Sequence, residues 1–249
     1  MEIINATWEK RNFNMDAFEI NLTKKDLKDF DAVLKKIDEQ NFKNAYVVIK
    51  MPVGNLKALH KLEDLGYRFL ETQFHLVQHF EPKLDDYKNL IENSNDEITL
   101  EFVPKEREAW ERVIKKITPG MFDTDRVSLD PELGEEIACK RYQNWCMDLF
   151  EKPNSRLVVR KINGVEFGFG LDIINEKTGT VDGILGGIFA EFKGSGLGSV
   201  YLNDTNKLNN IKTSTKTSVS SNNLNIFKIH QQCGKIVAKE KYILRKIYN

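Results

Sequence analysis

The apolar positions of this chain fall into short blocks whose spacing alternates between helical and extended. From Asp26 to Ile37, the residues Leu27, Phe30, Val33, Leu34 and Ile37 recur every three or four positions, which places them on one face of a helix. Tyr46-Val47-Val48-Ile49-Lys50-Met51 is a nearly continuous apolar run stopped by Pro52, as expected of a buried strand. A second helix is expected from about Asn55 to Leu65, with Gly66 where a helix commonly ends. Tyr67 to Leu70 and Gln73 to Phe80 then read as two strands.

From Glu81 to Glu97 the chain is polar and acidic (EPKLDDYKNLIENSNDE), the character of a linker. It separates a smaller unit, 1–80, from a larger one, 98–249. In the second unit Ile98 to Val103 reads as a strand and Glu106 to Ile117 as a helix. Asp130-Pro131 supplies a capping residue and a first-turn proline, predicting a helix that runs to about Phe150. Asn163-Gly164 is a strong hairpin signal between strands at 156–162 and 165–174. A glycine-rich strand at 180–190 follows, then a helix at 199–208, a strand at 211–219, a helix at 223–233 and one or two closing strands at 235–247. Both units are therefore α/β. A faint repeat links them, because Asn55 to Gly66 and Asn223 to Gly234 both span 11 positions and both lie between strands.

Composition narrows the function classes. Lys plus Arg and Asp plus Glu both total 37, so the net charge is zero, which argues against a generic nucleic-acid or membrane-surface binder. The first residues, MEIINATWEKRNFNMD, lack the apolar core of a signal peptide, and no window approaches the roughly 20 apolar residues of a membrane span, so a cytoplasmic protein is expected. Cys139, Cys146 and Cys233 have no metal-ligand spacing and read as reduced thiols. His60 and His75 lack partners at metal spacing, so no metal is expected. Trp8, Trp110 and Trp145 read as core or interface residues.

The most informative stretch is Gly186-Gly187-Ile188-Phe189-Ala190-Glu191-Phe192-Lys193-Gly194-Ser195-Gly196-Leu197-Gly198. A strand enters a loop with three alternating glycines and leaves it as a helix. Glycine permits positive φ and lets backbone N–H groups converge on an anion, helped by the positive end of the helix starting near Ser199. Lys193 adds a positive charge at the mouth. A nucleotide P-loop is excluded, because Gly198 is followed by Ser199-Val200 rather than Lys-Ser/Thr. A dinucleotide fingerprint is excluded by the glycine spacing and by its late position. A tight strand-to-helix turn without a ligand is the plain alternative.

The segment resembles the central motif of the GCN5-related N-acetyltransferases (GNAT superfamily), [QR]-x-x-G-x-[GA], with Lys193, Gly196 and Gly198 in the signature places. The resemblance covers about residues 98–249, including Val219 to Asn223 and the helix ending at Cys233-Gly234. It implies the GNAT fold, a central mixed sheet flanked by helices, here preceded by a smaller partial copy. It also implies acetyl-CoA as cosubstrate and direct attack of an amine on the thioester. Ile188, Phe189 and Ala190 would lie along the cofactor's arm. Lys193, Gly194, Ser195, Gly196, Leu197, Gly198 and Ser199 would hold its pyrophosphate, with Asn223 nearby. A homodimer is a further implication. The two-part layout is more narrowly similar to that of dTDP-fucosamine acetyltransferases, which act on a nucleotide-linked 4-amino sugar.

The departures lie at the proton-transfer end. Four residues before Gly234, where the family commonly has Tyr, stands His230, and Lys235 occupies the place of the usual Phe. His230 is the candidate general acid, since an ordinary imidazole pKa near 6.5 suits that task. A packing role is the alternative for this residue. Asn223, Tyr201 and Tyr242 are further candidates. Asp182 and Glu191 flank the glycine strand, Glu166 and Asp172 lie on the neighbouring strand, and none stands out as the base. Cys233 has no oriented base beside it and reads as a packing thiol. The expected function is therefore acetylation of a small polar amine, with a nucleotide-linked amino sugar as the candidate suggested by layout. The alternatives are acetylation of a protein or peptide amine, or an acyl-CoA-binding module without catalysis.

Overall fold

A computed structural model of the chain describes residues 1–79, 97–198 and 214–249. One ten-stranded mixed sheet runs through both units. Its strands are β1 (Glu2–Asn5), β2 (Asp16–Asn21), β3 (Ala45–Pro52), β4 (Arg68–His79), β5 (Ile98–Phe102), β6 (Ser155–Ile162), β7 (Val165–Asn175), β8 (Thr180–Ile188), β9 (Ser214–Ser220) and β10 (Ile236–Tyr248), in the spatial order β1-β2-β3-β10-β4-β9-β8-β7-β6-β5. The helices are α1 (Lys10–Phe13), α2 (Phe30–Asp38), α3 (Leu56–Asp64), α4 (Arg107–Ile114), α5 (Arg126–Leu129), α6 (Glu135–Phe150) and α7 (Leu224–Gln232). Among the described residues, no helix is long and apolar enough to cross a membrane.

Strand alternation sorts the side chains onto two faces. On the back face Val47, Ile49 and Met51 pack with Val33 and Ile37 of α2 and with Ala58 and Leu62 of α3. On the front, Tyr46, Val48 and Ile243 meet Val127 of α5 and Ala138 of α6, while Leu157, Val159, Phe169 and Leu171 meet Trp110 and Val113 of α4 and Tyr142, Cys146 and Leu149 of α6. Helix α7 lies on the back, where Phe227 packs on Phe74 with ring centroids 4.6 Å apart.

The last strand does not close the sheet from its edge. β10 inserts antiparallel between β3 and β4, and β4 pairs on its other side with β9. The described strands therefore form one continuous sheet. Its order also has an approximate internal symmetry. β2 runs parallel to β3, as β8 does to β9, and β3-α3-β4 interleaves with β9-α7-β10. The repeat seen in the sequence has the same local build in both places. Asn55 and Asn223 cap α3 and α7 by accepting from Ala58 N (3.0 Å) and Ile226 N (3.2 Å), and Gly66 and Gly234 follow with φ of 88° and 82°.

Several expectations need correction. Residues 2–21, which gave no clear pattern, form β1, α1 and β2. β4 is one strand rather than two. Asp130-Pro131 does not open the long helix; Gly134, at φ 84°, breaks helical geometry, and α6 begins after it. Asp130 has another task, because its carboxylate takes a forked pair of bonds from Arg245 on β10, at 2.7 Å and 2.5 Å, and a weaker one from Tyr46 Oη at 3.3 Å. The expected helix at 199–208, the start of the expected strand at 211–219, and most of the 81–97 linker lie outside the described residues.

Asp130 is fully buried and Arg245 nearly so, so removing one partner strands the other's charge. Asp130→Ala is expected to lower unfolding stability by about 3–5 kcal/mol in urea denaturation. A loss below about 1 kcal/mol would show that the pair does not hold β10 in place.

Candidate active site

The site is built around a ladder that stops. β8 pairs with β9 only through Thr180–Ser214, Val181–Thr215 and Asp182–Lys216. At the next residue the Thr217 hydroxyl, not a backbone amide, donates to the Gly183 carbonyl at 2.9 Å. The strands then diverge, leaving Gly183 to Ile188 facing Thr217 to Ser220 across a gap. In the first unit the corresponding parallel pair stays closed, with β2 paired to β3 from Asp16–Ala45 to Asn21–Lys50.

The gap exposes backbone. Phe189 N donates to Phe167 O at 2.8 Å, and Gly168 stands opposite Ile188. In an antiparallel ladder the bonding direction alternates, so Ile188 and Gly186 turn their N–H and C=O groups away from β7 and into the gap. A cavity of about 760 Å³ fills this space and is lined from both faces of the sheet.

On the back, the cavity meets Ile188, Gly198, Val219, Ile226, Asn223 and His230. Gly198 lies 3.5 Å, measured from where its Cβ would stand, from Ile229 Cδ1, so a larger residue there would crowd α7 and the cavity mouth. Gly194 and Gly196 have φ of 80° and 81° with open space around them, as a backbone loop built to approach a ligand requires. An open strand edge, a positive-φ loop and an apolar α7 face suit an extended thioester carrying a pyrophosphate.

The predicted residues divide. Ile188, Gly198, Asn223 and His230 line the cavity. Phe189 does not offer its side chain: it is fully buried, near-parallel to Phe169 at 5.9 Å, with its N–H spent on β7. Ala190 is exposed in a short 3-10 turn, Ser195 lies in the bend beyond it, and Leu197 is the first helical residue after that bend. Lys193 is not a free charge at the mouth, because its Nζ bonds Asp123 at 2.5 Å and Gly120 O at 3.0 Å, tying the glycine loop to the loop before α5. Ser199 and Tyr201 lie outside the described residues. Tyr242 packs edge-on to Phe69 at 6.0 Å, outside the cavity lining. Of the carboxylates considered as base, Glu166 is held by Arg112 and Lys116, and Asp172 is buried against Arg156.

His230 is buried, and its Nδ1 has no hydrogen-bond partner among the described residues. Burial, with the Lys235 ammonium nearby, pulls its pKa down to about 3. The ring is therefore neutral at pH 7 in the free protein and offers a neutral hydrogen-bonding face to the cavity. Asn223 spends its Oδ1 on capping α7.

The front of the cavity was not legible in the sequence. Glu9, Glu19, Lys50, Glu71, Arg126 and Arg141 converge there from 3-10 turn, strand and helix positions far apart in the chain. Arg141 Nε donates to Glu9 at 2.8 Å, Lys50 to Glu19 at 2.7 Å and Arg126 to Glu71 at 3.1 Å. Burial opposes ionisation of Glu19, yet Lys50, Arg126 and Arg141 hold its carboxyl below the ordinary value. The available signal was a charge interrupting an apolar strand, as Lys50 and Glu19 do. Trp8, read as a core or interface residue, is half exposed at this rim.

No protein-family model matches the sequence, and no curated protein does. Solved structures do match the fold. A GCN5-related N-acetyltransferase from Sphaerobacter thermophilus aligns with TM-score 0.60 and 13% identity over 99% of this chain and 75% of that one. A functionally unknown conserved protein from Staphylococcus epidermidis aligns with TM-score 0.56 and 14% identity, covering 94% and 85%. A GCN5-related N-acetyltransferase from Kribbella flavida gives TM-score 0.50 and 11% identity, covering 93% and 81%. The chain has the GCN5-related N-acetyltransferase fold.

The His230 shift has a stability consequence. Between about pH 6.5 and pH 3 the unfolded chain binds a proton at this ring and the folded protein does not, so stability falls as pH falls. His230→Gln removes that loss. From pH 6.5 to 4.5 the variant should lose roughly 2 kcal/mol less than wild type in urea denaturation. Parallel profiles would show that the ring is not held neutral.

Proposed function

We propose that this protein transfers an acetyl group from acetyl-CoA to the amine of a small polar acceptor. The observation that carries the reading is the gap between β8 and β9, which joins a back-face slot to a charged front-face pocket. Acetyl-CoA supplies the acyl group as an activated thioester. The Gly186 and Ile188 amides are positioned along its arm, and the loop from Gly194 to Gly198 suits its pyrophosphate, the order implied by the family resemblance. The amine acceptor enters from the front, so that the two reactants meet within the sheet. Holding them there supplies much of the rate in a direct transfer.

In this reading the amine attacks the thioester carbonyl, the C–S bond breaks, the acetyl group leaves on nitrogen and coenzyme A departs as the thiol after gaining the amine's proton. His230 lines the slot as a neutral hydrogen-bonding group rather than as the proton donor. The first unit is a partial copy of the fold whose gap is closed, which leaves 98–249 to carry the chemistry. A nucleotide-linked amino sugar is the acceptor suggested by layout, and the enclosure of the front pocket by α5 and α6 favours a small acceptor over a protein tail.

Calorimetric titration with acetyl-CoA tests the cofactor slot. Wild type should bind one equivalent, and Gly198→Trp, which fills the back mouth, should weaken binding at least about a hundredfold while keeping its melting temperature within a few degrees. Unchanged affinity in the variant, or no binding by wild type, would remove the slot from the account.

A further inference from the structure

The front wall gathers three ion pairs that stability alone does not explain. Buried pairs are often no better for folding than apolar residues of the same size, because desolvation offsets their attraction. The chain also shows how it builds a pair for structure. Arg245 meets Asp130 fork to fork, with Nε and Nη2 each on a different carboxylate oxygen. Arg126 and Arg141 do not. Each gives its carboxylate a single bond, from Nη1 to Glu71 and from Nε to Glu9, although a guanidinium carries five N–H donors. Both line the cavity, and both side chains are largely buried.

The two guanidinium groups share one patch. Glu19 feels both, and Arg126 acts unfavourably on Arg141, so the cations lie near enough to repel. Arg141 is further fixed above the Tyr142 and Trp145 rings, at 5.8 Å and 5.6 Å. Arg126 is fixed by its short helix, whose Asp125 caps Val127 N at 2.8 Å and whose following residue, Asp130, is locked to β10. Two immobilised arginines with unused donors turned to one cavity form a receptor for an anionic oxygen group, the geometry in which arginine outperforms lysine.

We infer that the acceptor carries, besides its amine, a carboxylate or phosphate that Arg126 and Arg141 bind at the front of the cavity, leaving the amine toward the β8–β9 gap. This rests on the acetyl-transfer reading for the amine, but the anion site itself can be tested without turnover. Glu9, Glu19 and Glu71 balance the cations when the pocket is empty of acceptor, so the site discriminates by bond geometry rather than by net charge.

The experiment uses the full chain in the presence of coenzyme A, which cannot acylate the probes. L-alanine is titrated against L-alaninamide, and glucosamine 1-phosphate against glucosamine. Within at least one pair the anionic member should bind at least about tenfold more tightly. Because Arg126→Gln alone would strand Glu71, the variants are the doubles Glu71→Gln/Arg126→Gln and Glu9→Gln/Arg141→Gln, each checked for an unchanged melting temperature. In a folded double variant the preference should fall below about threefold. The pair that shows it identifies carboxylate or phosphate. Equal binding within both pairs, binding of no probe, or a preference that survives in both doubles would overturn the inference. An anionic preference without acetyl transfer to any bound amine would sink the proposed activity and leave the anion site standing.

Discussion

Backbone groups inside a sheet are satisfied by the neighbouring strand, and a buried amide without a partner costs about as much as a lost hydrogen bond. Two adjacent strands therefore part only where something else meets their exposed edges. Here the parting begins after Asp182, where Thr217 lends its hydroxyl to the Gly183 carbonyl and the two strands separate. Everything proposed for the site follows from that break. It turns the Gly186 and Ile188 amides to open space, joins the two faces of the sheet and places an apolar slot behind a charged pocket. The equivalent pair in the first unit, β2 and β3, stays zipped and offers no such edge.

The break is held open by its surroundings. Gly187 has no room for a side chain, since a Cβ there would stand 2.9 Å from Met121 Cε and 3.2 Å from Phe122, and so the loop before α5 packs directly on β8. Lys193 ties the start of the glycine loop to the same segment through Asp123 and Gly120. Farther along, Asp130 anchors that segment to β10, the strand that threads between β3 and β4. One connected stretch, 118–130, thus links the glycine loop, the cavity's front wall and an interior strand of the sheet. The glycine motif depends on contacts far from it in sequence.

Periodicity revealed the elements that local chemistry governs. Asn163-Gly164 forms its hairpin turn with φ of 50° and 79°, and the Asn-to-Gly blocks at 55–66 and 223–234 build matching capped helices. What local pattern did not show was set by distant partners. Asp130-Pro131 looks like a helix start, but Arg245 claims the carboxylate. Lys193 meets Asp123 in the free protein, and burial keeps the His230 ring neutral, neither of which local sequence displays. The back of the site was legible because a strand, a glycine loop and a helix lie consecutively in the chain. The front was not, because Glu9, Glu19, Glu71, Arg126 and Arg141 come from separate elements and meet only once β4, α5 and α6 have packed. Lys50 and Glu19, single charges inside otherwise apolar strands, were the trace it left.

In the proposed function the parted edges of β8 and β9 form the binding slot. Amide hydrogen exchange, read residue by residue with and without coenzyme A, tests it most directly. Gly186 and Ile188 should exchange rapidly in the free protein and gain protection when coenzyme A is added, with Phe189, already bonded to Phe167, unchanged. Protection of Gly186 and Ile188 in the free protein equal to that of Phe189, or coenzyme A protection confined to other strands, would contradict it.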